Sequence, residues 1–141
     1  MLKKFEFLEH TADTKIRAYG NSLEEAFCNV ALATTETMTD LKSLRGVESR
    51  SVLVSSEDEK SLLYDFLDEV LYLFDVEGFL VKEVKDIKIA RGSSLELSCT
   101  LIGDFAKNGY EVHTHIKAVT YSEMEIFKED GLFVVQVVHD L

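Results

Sequence analysis

Residues 47–78, VESRSVLVSSEDEKSLLYDFLDEVLYLFDVEG, decide how this chain folds. Val47 to Val54 reads as a strand. Ser56 followed three residues later by Glu59 carries the signature of a capping box, in which two side chains satisfy orphan N–H groups at a helix start. From there Leu62, Leu63, Phe66, Leu67, Val70, Leu71 and Phe74 recur at three- and four-residue spacing, the apolar stripe of a helix packed on one side. Gly78 supplies the stop. The other face carries Asp65, Asp68, Glu69, Asp75 and Glu77, which read as a solvated helix face.

The same grammar occurs earlier. Phe5 and Phe7 alternate with Lys4 and Glu6 as in a strand, and Lys15 to Tyr19 repeats the pattern with Ile16 and Ala18 on one face. Ser22 and Glu25 form a second capping-box pair. Leu23, Ala26, Phe27, Val30 and Ala31 then make a helical stripe that fades near Met38 to Asp40. Beyond Gly78 come strands over Leu80 to Ala90, Leu95 to Ile102, Val112 to Phe127 with a break, and the terminal LFVVQVVHDL. RGSS and EDG serve as hairpin turns and DFAKNGY as a loop. Two helices among long hairpin strands predict an α+β fold, with the helices packed on a largely antiparallel sheet. The doubled strand-helix-strand pattern suggests one unit inserted in another.

A length of 141 residues fits one domain spanning 1–141. No apolar run approaches the roughly 18 residues a membrane span needs. MLKKFEFLEH turns acidic too early for a signal peptide, so a cytoplasmic protein is expected. Cys28 and Cys99 lie far apart with no CxxC and read as reduced core thiols. The chain carries 15 basic and 26 acidic residues, a net charge of −11. Tight direct nucleic-acid binding rests on phosphate neutralisation by Lys and Arg, so it is not expected here. Metal ions or a basic protein partner are.

No P-loop, GxGxxG, GxSxG, HExxH or CxxC is present, which weighs against the commonest enzyme classes. His113 and His115 share a face of a predicted strand and read as sheet-surface histidines, without the further ligands a zinc site needs. His10 and His139 are more suggestive, since each lies near an acid, Asp13 and Asp140. The last strand runs almost to the final atom, so Asp140 and the terminal carboxylate of Leu141 sit within one residue of each other. If the end of the first strand lies beside them, Asp13 joins an all-oxygen cluster suited to a hard cation. Lys117 is a basic residue within an apolar strand, either a surface lysine or a charge partner for that cluster.

HTADTKIRAYGNSLEEAF, LLYDFLDEVLYLFDVEG, KAVTYSEMEI and QVVHDL, in that order and at these spacings, resemble the archease family over nearly the whole chain. The resemblance implies an α+β fold in which one strand-helix-strand-strand module is inserted in another. It implies a non-enzymatic accessory protein that activates the GTP-dependent RNA ligase joining 3′-phosphate to 5′-hydroxyl ends in tRNA splicing. That protein would promote guanylylation and multiple turnover of the ligase. The family's metal site, carried over by position, falls on Asp13, Asp140 and Leu141, with Ca²⁺ as the bound ion and Mg²⁺ or Mn²⁺ as alternatives. Lys117 falls on a functionally important lysine, and His10 joins it as a functional candidate. Two other roles stay open: a metal-dependent phosphoester hydrolase, or a modulator of tRNA methyltransferases. The chain departs from the family at Ser122, where a histidine is usual, near Tyr110, where another is usual, and at Phe133 in place of Trp.

Overall fold

Among the described residues, two capped helices and seven strands build the fold. The computed structural model describes residues 3–10 and 12–141. The elements are β1 (Phe5–Leu8), β2 (Thr14–Gly20), α1 (Leu23–Met38), β3 (Glu48–Ser56), α2 (Glu59–Glu77), β4 (Phe79–Arg91), β5 (Leu95–Phe105), β6 (Ala118–Glu129) and β7 (Leu132–Asp140). Ser22 caps α1 by accepting the Glu25 N–H at 3.1 Å, while Glu25 accepts from Asn21 N. The cap of α2 is displaced from the expected Ser56–Glu59 pair. Asp58 accepts from Ser61 N, and Ser61 Oγ accepts the Asp58 N–H. Ser56 is still in β3, paired with Leu95, so its backbone belongs to the ladder and the next free acceptor starts the helix. Gly78 ends α2 in the left-handed conformation, φ 71°.

The strands form two antiparallel sheets, ordered β1-β2-β7-β6 and β3-β5-β4. The segment β3-α2-β4-β5 is continuous in sequence and supplies the whole second sheet. It is inserted between α1 and β6 of the first unit, which is the expected nested arrangement. Each helix touches both sheets: α1 packs on β2 and β4, α2 on β6 and β3. One apolar cluster therefore runs from Ile16, Ala18, Val135 and Val137 through the stacked Phe27 and Phe66 rings to Leu97 and Leu101. Cys99 is buried and Cys28 half-buried, and burial pushes their thiols up to about 12 and about 11, consistent with inert core residues.

The strand expected from Val112 begins only at Ala118. Residues 111–117 are instead tied to the end of α1 by His113 N to Met38 O, 3.0 Å, and Thr39 Oγ1 to Glu111 O, 2.7 Å. Tyr110 is fixed too. Its hydroxyl donates to the buried carboxylate of Asp104 at 2.7 Å. Bonds from Tyr110 and Asn108 hold the Asp104 carboxyl below its usual range.

His139 faces the core, away from Asp140. It is 0% exposed, and its Nε2 lies 2.9 Å from Thr34 Oγ1. Thr34 already donates to Val30 O, so it accepts from His139 Nε2–H and leaves Nδ1 bare, with no partner among the described residues. Desolvation lowers the His139 pKa to about 4. The folded state thus refuses a proton that the unfolded chain takes up near pH 6.5. Stability is intact above pH 6.5 and is lost as pH falls towards 4. Between pH 6.5 and 5 this residue alone removes about 1.5 kcal/mol. Urea denaturation of the wild type and His139→Asn at both pH values should give a markedly smaller pH loss in the variant. A second prediction concerns Gly103, where an added Cβ would sit 1.8 Å from the Leu80 carbonyl oxygen. Gly103→Ala should destabilise by about 2–3 kcal/mol in the same assay.

Candidate metal site where the two chain ends meet

The antiparallel pairing of β2 with β7 runs from Gly20↔Phe133 to Thr14↔His139. One step further along both strands stand Asp13 and Asp140. Strand alternation puts Lys15 on the same face as Asp140 and Val138, opposite the core face of Ile16 and His139, and Asp13 stands in the bend just before β2. Leu141 follows Asp140 at once, its side chain packed against the core. Asp13, Lys15, Thr37, Thr114 and Leu141 line one open cleft of about 310 Å³.

Lys117 joins this rim through its backbone, whose N–H donates to Asp140 O at 2.8 Å, and its side chain is exposed. His10 lies 3.9 Å from Asp13 through Nδ1 and 2.9 Å from Glu123 through Nε2. Lys15 Nζ binds the other Glu123 oxygen at 2.9 Å. The hydrogen bond from Lys15 first, then that from His10, holds the Glu123 carboxyl below its usual range. The expected residues are thus gathered at one end of the first sheet, with Thr11 of the HTAD stretch outside the described residues.

Glu123 was not legible as a site residue. It reaches the rim because the β6–β7 register shifts between Thr120 and Glu125, turning Tyr121, Ser122 and Glu123 outward while Met124 stays buried, with Glu123 at φ 52°. The break expected in that strand was the only trace of it. Gln136 secures the bulge by donating to Glu123 O at 2.8 Å, and Arg17 donates to Gln136 Oε1. Ser122, at the usual histidine position, is exposed and donates its N–H to Thr120 Oγ1. His113 and His115, expected on one face of a strand, are not in a strand. They lie on the irregular segment before β6, His113 against Thr114 and His115 tilted over Phe74.

Among the described residues, no group of three or more His, Cys, Asp or Glu side chains is gathered for a metal. The expected set differs in kind, with two aspartates and one main-chain carboxylate. Such all-oxygen donors fit a hard cation. Lys15 is committed to Glu123, and Asp13 faces the cleft.

The model of the Archease protein family (MTH1598/TM1083) matches residues 5–141. The chain belongs to the archease family. It is 45% identical over 141 residues to protein archease of Methanothermobacter thermautotrophicus, covering 99% of this chain and 100% of that one. It is 42% identical to protein archease of Methanosarcina mazei, covering 99% and 97%. The solution structure of Methanobacterium thermoautotrophicum protein 1598 superposes with a TM-score of 0.85 at 44% identity, over 99% of this chain and 100% of that one. A Thermotoga maritima crystal structure described as an archease, possible chaperone, shares the fold. Its TM-score is 0.62 at 22% identity, covering 95% and 94%. The archease resemblance and the α+β fold expected from sequence both hold.

The bulge makes a direct prediction. Glu123→Ala should speed amide hydrogen exchange across residues 121–124 while lowering stability by no more than about 1 kcal/mol, because its ion pairs are solvent-exposed. Unchanged exchange would mean that backbone geometry alone holds the bulge.

Proposed function

We propose that this protein is an accessory factor that activates a GTP-dependent RNA ligase joining 3′-phosphate to 5′-hydroxyl ends in tRNA splicing. On this reading it promotes guanylylation and repeated turnover of the ligase and performs no chemistry of its own. What supports the reading is a β2–β7 ladder that ends one residue short of Asp13 and Asp140, with Asp13 and Leu141 lining one cleft, in a chain of net charge −11. An enzyme that holds RNA ends needs a basic surface, and an acidic rim is steered to it.

Asp13, Asp140 and the Leu141 carboxylate would hold a divalent cation, Ca²⁺ first, with Mg²⁺ or Mn²⁺ as alternatives. Bound there, the cation would offset the mutual repulsion of the carboxylates and order the chain's end. The chain's own residues do the rest. The β2–β7 ladder fixes the spacing of the two aspartates, Lys117 N–H anchors the Asp140 backbone, and His10 with Glu123 borders the rim. A hydrolase would need a general base aimed at the cleft. His139, the histidine next in sequence to the cluster, is turned into the core. No helix is long and apolar enough to cross a membrane among the described residues, and a cytoplasmic site of action goes with this reading.

The test is RNA ligation with ligase kept far below substrate, in Mn²⁺ and GTP. Wild type should carry the ligase past one turnover. Asp13→Ala and Asp140→Ala should return it to about a single turnover and weaken calorimetric Ca²⁺ affinity at least about tenfold. If both variants activate fully and bind metal as tightly as wild type, the site assignment is wrong.

A further inference from the structure

A merely solvated α2 face would be polar throughout, and this one is not. Tyr72 is 56% exposed and Val76 62% exposed on the same face as Asp68 and Asp75. Asp68, Tyr72 and Val76 follow one another at four-residue spacing, so their side chains adjoin. No Lys or Arg occurs from Ser61 to Glu77. At the margin of the face Tyr64 stacks on Tyr121, with ring centroids 4.4 Å apart and planes within 7°. Tyr121 is itself 54% exposed and opens the same bulge that carries Glu123 to the rim of the candidate metal site. An aromatic and acidic strip therefore continues from the metal rim, across the bulge, along α2.

From these contacts we infer that Tyr64, Asp68, Tyr72, Asp75, Val76 and Tyr121 form a docking surface for an arginine-bearing basic surface of the partner protein. The inference rests on the proposed accessory function and names a second contact for that partner. The chemistry selects the occupant. A guanidinium is planar and weakly hydrated. It stacks on an exposed tyrosine face while a neighbouring carboxylate takes its N–H groups in pairs. Exposed aromatics beside carboxylates, with no Lys or Arg between Ser61 and Glu77, offer both halves of that contact. Exposed Tyr, with few torsions to order, is also the residue type that anchors interfaces. The strip is contiguous with the rim, so a partner seated on it holds the chain's end at its own active site. The two contacts would then reinforce each other through a high effective concentration.

The experiment measures binding of the full-length protein to the RNA ligase by calorimetry at low and moderate salt. Wild type, Tyr72→Ser, Tyr121→Ser, Asp68→Lys and the conservative Tyr72→Phe are compared, with circular dichroism to check folding and Ca²⁺ titration to check the rim. These side chains are exposed, so the fold and Ca²⁺ affinity should stay as in wild type. Tyr72→Ser and Tyr121→Ser should each weaken ligase binding at least about tenfold. Asp68→Lys should weaken it most at low salt, and Tyr72→Phe should largely retain it. If wild type binds and activates the ligase while the Ser and Lys variants bind equally well, the docking surface is wrong and the accessory function stands. If wild type neither binds nor activates the ligase, both fall together.

Discussion

The β2–β7 ladder is the interaction on which the rest of this protein depends. Seven consecutive antiparallel pairs join a strand near the start of the chain to the one that ends it. On the core face they seat Ile16, Ala18, Val135 and Val137 against α1. They end one residue short of Asp13 and Asp140. A slip of one residue would turn every side chain of one strand to the wrong face and mismatch the packing on both sides of β7. Packing of the core therefore fixes the geometry of the rim without any contact made for the rim's own sake.

The nested topology explains why so small a chain can hold its terminus so firmly. The inserted β3-α2-β4-β5 unit returns the chain to β6 beside β7, and α1 is covered from both sides by β2 and β4. The last strand is consequently buried on both faces from Val134 to His139. Terminal residues usually fray for want of contacts. Here the contacts run on through the Asp140 backbone to the Leu141 side chain. A bare histidine nitrogen at 139 is one consequence of that depth.

The polar residues divide into two kinds. Asp104, Asn108 and Tyr110 close a loop, and Arg17 with Gln136 secures the bulge. These are internal fastenings. Asp13, Asp140, Lys117 and the exposed strip of α2 are turned outward. The bulge at Tyr121 to Met124 connects the outward groups, because a single irregularity places Glu123 at the rim and Tyr121 on Tyr64.

Much of this was legible in the residues. The apolar periodicity of 61–74, the alternation in KIRAY and LFVVQVVHDL, and the EDG turn each follow from local backbone geometry, so the sequence by itself determined the element types and the doubled module. Asp13, Asp140 and Leu141 could be named as carboxylates at strand ends for the same reason. Whether those ends meet depends on pairing across more than a hundred residues of chain, which no local pattern encodes. Tertiary structure alone decided three further points. Asp58, not Ser56, caps α2, because β3 keeps Ser56 in its ladder. His139 points inward, because its partner Thr14 sets the register. Glu123 joins the rim, because the β6–β7 pairing expels the residues around it. In each case a neighbour distant in sequence consumed or freed a backbone group, and that competition exists only once the strands are paired.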